Sequence, residues 1–211
     1  MEKTALHKTP IVLVPGMAFD YPMLIWRFFL EEAGFNVEIA ELYRLVALKT
    51  IDEQAHLVSE KIDRVLKKYN SRKCHLIGYS LGTVTSLYYI QKMTGGEKVD
   101  KCICVTPPFN GIRDYLMLLE PIGFFIKSFW DIFPDSKFLE EMRRGKTGGA
   151  EISIVCGAKD WMCALGANFP FVKKIFVTDG GHIAIYFGLN KEAREAVLKI
   201  LSGDKKNHLA G

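Results

Sequence analysis

CHLIGYSLGTVTSLYYIQKM, residues 74–93, changes character at Ser80. Before Ser80 the run is short, apolar and free of polar alternation, the pattern of a strand buried on both faces. After it, LGTVTSLYYIQKM reads as a helix that ends ahead of Gly95 and Gly96. Glycines at 78 and 82 leave room for a tight turn between the two, which pushes the Ser80 hydroxyl out at the C-terminal end of the strand. In open sheets covered by helices, ligands bind along that edge. A serine at a helix start is also a common N-cap, so the turn alone does not make it reactive.

The same alternation runs outward along the chain. IVLV (11–14), VEIA (37–40), CICVT (102–106), ISIVC (152–156) and IFVT (175–178) join 74–79 as strands that read as fully buried. Helix patterns lie between them. Residues 21–33 have Pro22 near the start and Gly34 just past the end. Residues 51–69 repeat Ile51, Ala55, Val58, Ile62, Val65 and Leu66 at spacings of three and four, with charges on the other face. Asn190 caps a last helix that runs to Gly203. Repeated β-α-β order with right-handed crossovers implies an α/β fold: about six mostly parallel strands with helices on both faces. No linker divides the 211 residues, so 1–211 reads as one domain. The exception is 107–149, too long for one connection. It holds an apolar stretch, YLMLLEPIGFFIKSFW, and an amphipathic helix in FPDSKFLEEMRRG, and reads as a helical, lid-like insertion.

A composition of 49% apolar and 25% charged residues fits a globular protein. The net charge of +4 is mild and its basic residues are scattered, so nothing calls for nucleic acid. Five cysteines (74, 102, 104, 156 and 163) read as buried free thiols, and no second Cys/His pair completes a zinc pattern with Cys102 and Cys104. The first strand is entered without a hydrophobic signal stretch, and no run reaches about eighteen apolar residues. The expected setting is soluble, reduced and cytoplasmic.

A reactive serine needs an imidazole within hydrogen-bond reach, itself oriented by a carboxylate. His7 and His208 lie near the ends, His56 in a charged helix and His75 at the far end of the Ser80 strand. His182, in TDGGHIAI after the last strand, can reach the right edge. Asp160, in GAKDWM just beyond strand 152–156, is favoured over Asp179, which shares a short loop with His182. It could cap a following helix as well. Developing negative charge on a substrate oxygen also needs donors, and two backbone amides are available: Leu81, next to Ser80, and Met17, in VPGMAF after the first strand.

LVPGM, HLIGYSLGTVTSLYYI, GAKDWM and GGHIAIYF together resemble the small bacterial triacylglycerol lipases, compact members of the α/β-hydrolase superfamily. The resemblance implies Ser80 as nucleophile, His182 as general base and acid, Asp160 as the orienting carboxylate, and the Met17 and Leu81 amides as the oxyanion hole. Two features depart from it: Pro15 stands where those lipases often carry His, and 107–149 is much longer than their equivalent stretch. The expected activity is cleavage of short- to medium-chain carboxylic esters through an acyl-enzyme. No cofactor or metal is called for. Leu116, Phe124, Phe125, Phe129 and Trp130 of the insertion form the expected acyl pocket or lid, which could also touch a lipid surface transiently. A thioesterase or acyltransferase would carry the same triad. A non-catalytic binding protein on the same scaffold is the reading from outside enzymology, and the sequence leaves the oligomeric state open.

Overall fold

The computed structural model describes residues 9–17, 21–42, 49–112, 128, 130–133, 136–163 and 169–203. Six strands form its centre: β1 (Ile11–Val14), β2 (Val37–Ile39), β3 (Cys74–Tyr79), β4 (Val99–Val105), β5 (Glu151–Gly157) and β6 (Val172–Thr178). They lie in the order β2-β1-β3-β4-β5-β6, and every neighbouring pair is parallel. Among the described residues, seven α-helices accompany them: α1 (Tyr21–Glu32), α2 (Ile51–Lys68), α3 (Leu81–Lys92), α4 (Gly95–Lys98), α5 (Lys137–Arg144), α6 (His182–Tyr186) and α7 (Lys191–Ser202).

The strands sort their side chains by parity, because successive residues point to opposite faces. Val12, Val14, Leu76, Cys102 and Cys104 join a core with α2 and α3, while Ile11, Leu13, Ile77, Tyr79, Ile103 and Val105 join a second core with α1 and α7. Both faces of the central strands are therefore dry, as their unbroken apolar runs require. α2 is fixed at its start by a capping box, in which Thr50 accepts from the Glu53 amide and the Glu53 carboxylate accepts from Thr50. Its buried Gln54 accepts from the Thr85 hydroxyl at 2.9 Å and donates to the Lys49 carbonyl, tying α2 to α3.

Two expectations need correction. β4 begins at Val99 and β6 at Val172, each three residues before its apolar run, because parallel neighbours keep the ladder going through Asp100-Lys101 and Lys173-Lys174. β6 is also not buried on both faces: Ile175 is 43% exposed and Val177 60%. It is one of the two edge strands of the sheet, β2 being the other, and its exposed residues alternate with the pleat.

Within 107–149 the amphipathic stretch is helical as expected. Ser136 caps α5 by accepting from the Leu139 amide, and the helix buries Leu139 and Met142. α5 docks on α3, where Phe138 stacks on Tyr88 and Gln91 donates to the Met142 carbonyl at 3.0 Å. Leu116, Phe124, Phe125 and Phe129 lie outside the described residues. All five cysteines are free and buried.

Candidate active site

β3 hands over to α3 through a single residue in an unusual backbone state. Ser80 has φ 49° and ψ −122°, a region that costs a non-glycine residue about 1–3 kcal/mol and persists only where the surroundings hold it. They do so here. The Ser80 amide donates to the Val105 carbonyl at 2.9 Å, and the Ser80 carbonyl accepts from both the amide and the hydroxyl of Thr83. The flanking glycines are required by close approach: a Cβ on Gly82 would strike the carbonyls of Val14 and Pro15, and one on Gly78 would come within 2.7 Å of the Gly82 carbonyl. The turn is therefore packed directly onto the loop after β1.

Ser80 makes no side-chain cap to α3. Its Oγ lies 3.2 Å from Nε2 of His182 instead, across 102 residues of sequence. His182 opens α6 directly after Gly180-Gly181, and its Nδ1 lies 2.9 Å from Oδ2 of Asp160. The other carboxylate oxygen, Oδ1, accepts from the amides of Met162 and Cys163, each at 2.9 Å. Asp160 thus closes a local turn with one oxygen and orients the imidazole with the other. A carboxylate accepts only, so the hydrogen-bond network assigns the imidazole proton to Nδ1 and leaves Nε2 to accept from the serine hydroxyl. Asp160 and His182 are both almost fully buried, which strengthens the pair electrostatically. An array of this kind can draw a proton off the hydroxyl as its oxygen attacks.

Asp179 is not brought to the imidazole. Its carboxylate pairs with Lys159 at 2.8 Å in an exposed position. His56 is on the surface of α2 near Asp52, His75 is buried at the start of β3, and His7 and His208 lie outside the described residues. Met17 is half-buried three residues after β1, and a Cβ on its neighbour Gly16 would be 3.1 Å from the Ser80 Cβ, so this stretch abuts the serine. Leu81 begins α3, where first-turn amides have no carbonyl partner within the helix. Trp130 is 44% exposed in a 3-10 turn (Trp130–Ile132) and stacks on Phe133 at 5.2 Å.

Sequence reasoning passed over three neighbours. Cys163 Sγ lies 3.7 Å from His182 Nδ1 and 3.6 Å from the Thr106 carbonyl, and Thr106 itself has φ 48°. The donor atoms of Asp160, Cys163 and His182 lie within 4.8 Å of one another, close enough for one divalent cation, though such an ion would have to take the two atoms that already join Asp160 to His182. Tyr186 is the third, and its signal was available: in GGHIAIYF it follows His182 by four residues, one helical turn.

A family model described as an alpha/beta hydrolase of unknown function (DUF915) matches residues 44–117, the stretch that carries α2, β3, Ser80, α3 and β4. No curated protein matches the chain by sequence. Among solved structures, a Bacillus licheniformis lipase in its mature form superposes with a TM-score of 0.78 at 15% identity, over 95% of this chain and 94% of its own. The fold is that of the α/β-hydrolases. An Aspergillus fumigatus lipase B shares this hydrolase fold with a TM-score of 0.71 at 16% identity; the match covers 95% of this chain, which spans only 54% of that lipase. A Pyrococcus furiosus esterase gives 0.63 at 15% identity, over 93% of this chain and 83% of its own. In the α/β-hydrolase frame, Ser80, Asp160 and His182 follow β3, β5 and β6, all at the C-terminal edge of the sheet.

Proposed function

We propose that this chain is a serine hydrolase of carboxylic esters that works through an acyl-enzyme on Ser80. The observation that carries the reading is the unbroken line from Ser80 Oγ to His182 Nε2 at 3.2 Å and from His182 Nδ1 to Asp160 Oδ2 at 2.9 Å, built on a strained serine that makes no cap. In the first half-reaction Oγ attacks the ester carbonyl carbon while Nε2 takes its proton. The carbonyl oxygen becomes an oxyanion facing the Met17 and Leu81 amides, each worth about 3 kcal/mol of transition-state stabilisation. Collapse expels the alkoxide, which receives the proton from Nε2 and leaves as the alcohol. Water then enters, gives its proton to Nε2 as it attacks the acyl carbon, and the proton returns to Oγ as the acid departs. Asp160 holds the imidazole through Nδ1 and stabilises the positive charge that forms on it.

The family model's description and the lipase and esterase neighbours support the reaction class. The apolar composition of 107–149 supports short- to medium-chain acyl groups as substrates. Initial rates across p-nitrophenyl esters from acetate to palmitate test both points, with Ser80→Ala as control. The expected result is hydrolysis with an optimum at short to medium length and loss of activity in the variant by a factor of about 10³ or more. Equal rates from the wild type and the variant at every length would overturn the reading.

A further inference from the structure

Tyr186 makes contacts that a proton relay does not itself need. Its hydroxyl accepts the Gly16 N–H at 3.2 Å, and its carbonyl accepts Nε1 of the buried Trp26 at 3.1 Å. Its ring lies nearly parallel to that of His182, with centroids 6.5 Å apart and planes 12° off parallel. It also meets Tyr79, the residue before Ser80, edge-on at 6.3 Å. One buried side chain therefore meets the loop after β1, the His182 ring one turn back on its own helix and the last residue of β3, Tyr79. At Gly16 the packing is tight: a Cβ there would sit 2.9 Å from the Tyr79 carbonyl and 3.1 Å from both the Ser80 Cβ and Tyr186 Cε2.

We propose that Tyr186 is a positioning residue for the oxyanion: by accepting the Gly16 N–H, its hydroxyl fixes the tilt of the β1 loop so that the following amide, Met17 N–H, faces the oxygen that becomes charged when Ser80 attacks. The proposal rests on the serine-hydrolase reading above. Each peptide unit is planar, so only Gly16's own φ and ψ separate the pinned amide from the next one. The space beside Gly16 is too small for a side chain, which sets its backbone directly against Tyr79 and Ser80. Because Tyr186 and His182 are one turn apart on α6, the same helix sets the proton acceptor and, through the hydroxyl, the oxyanion donor. Donors help only when they are preorganised at the place the charge develops, so a loop free to tilt would weaken the transition state and leave substrate binding intact.

Tyr186→Phe in the full chain removes the hydroxyl and keeps the ring. The probes are the rate of fluorophosphonate labelling of Ser80, the affinity for a trifluoromethyl ketone that adds to Ser80 as an oxyanion, and the steady-state constants on the best p-nitrophenyl ester. The loss of one neutral buried hydrogen bond predicts a fall of about three- to tenfold in kcat, in labelling rate and in ketone affinity together. KM and the pH profile of labelling, which reports His182, should stay as in the wild type. Unchanged labelling and ketone affinity would overturn the proposal. So would a shifted pH profile, which would put the effect on the imidazole, or a loss confined to KM. Should Tyr186→Phe fold too poorly to assay, 4-methylphenylalanine at position 186 fills the place of the hydroxyl with a methyl group that cannot accept a hydrogen bond, and the same pattern is expected. A wild type that does not label at Ser80 ends the hydrolase reading and this proposal with it; a wild type and a variant that label equally end this proposal alone.

Discussion

Asp160 serves two masters at the residue scale, and a single substitution separates them. In Asp160→Asn the side-chain carbonyl can still accept from the Met162 and Cys163 amides, so the local turn survives. The amide nitrogen then faces His182 Nδ1 as a donor, which favours the wrong tautomer and takes the acceptor at Nε2 away from Ser80. The expected outcome is a fall in kcat of about 10³–10⁴ with the urea midpoint almost unchanged, read from ester hydrolysis and denaturation on the same preparation. His75 gives a second prediction, this one about pH. Burial at the start of β3 pushes its pKa down to about 4, against a partial upward pull from Asp100, whose carboxylate lies 3.6 Å away. Since the folded-state pKa is below the unfolded value near 6.5, the unfolded chain binds the proton first as pH drops. The stability associated with neutral His75 is therefore complete above about pH 6.5 and is lost as pH falls toward about 4. Urea denaturation at pH 7.5 and pH 4.5 should show His75→Gln losing on the order of 2 kcal/mol less than the wild type over that interval. Equal losses would mean that other groups set the acid limb.

At the scale of elements, the α2–α3 contact is the one most exposed to a single change. Gln54 is fully buried and joins Thr85 and the Lys49 carbonyl, so Gln54→Ala leaves polar groups without that partner as well as a void. A cost of about 2–4 kcal/mol is expected, read as a lower urea midpoint of the variant beside the wild type. These elements were legible in the sequence where one signal dominated. The spacing of Ile51, Ala55, Val58, Ile62 and Val65 marks α2, and the apolar run before Ser80 marks β3, because burial on one stripe or on both faces leaves a direct imprint on residue type. The starts of β4 and β6 left no such imprint, since ladder hydrogen bonds are made by backbone and do not care that Lys or Asp occupies the position. The exposed face of β6 was hidden for a related reason: Ile175 and Val177 read as core, but lying at an edge is a property of sheet order, which local pattern does not encode.

For the whole molecule, the candidate site exists only once the sheet is complete. Ser80, Asp160 and His182 come from turns after three different parallel strands, and the loop carrying Met17 follows a fourth. Parallel order brings these C-terminal ends to one edge, which is why β-α-β reading of the sequence could pair Ser80 with Asp160 and His182 over separations of 80 and 102 residues. What that reading could not reach was the support around them. The contacts of Cys163 with His182 and of Tyr186 with Gly16 depend on how loops pack and not on motif spacing. Among the described residues no helix is long and apolar enough to cross a membrane. Since the pieces meet only in the folded chain, the most direct measurement is mass-spectrometric mapping of fluorophosphonate labelling in folded wild type, in His182→Ala and in wild type unfolded in urea. Modification of Ser80 in the folded wild type alone, disappearing over the same urea range as the fold, is the predicted result. No modification of Ser80 in the folded protein, or equal modification in all three samples, would contradict the account.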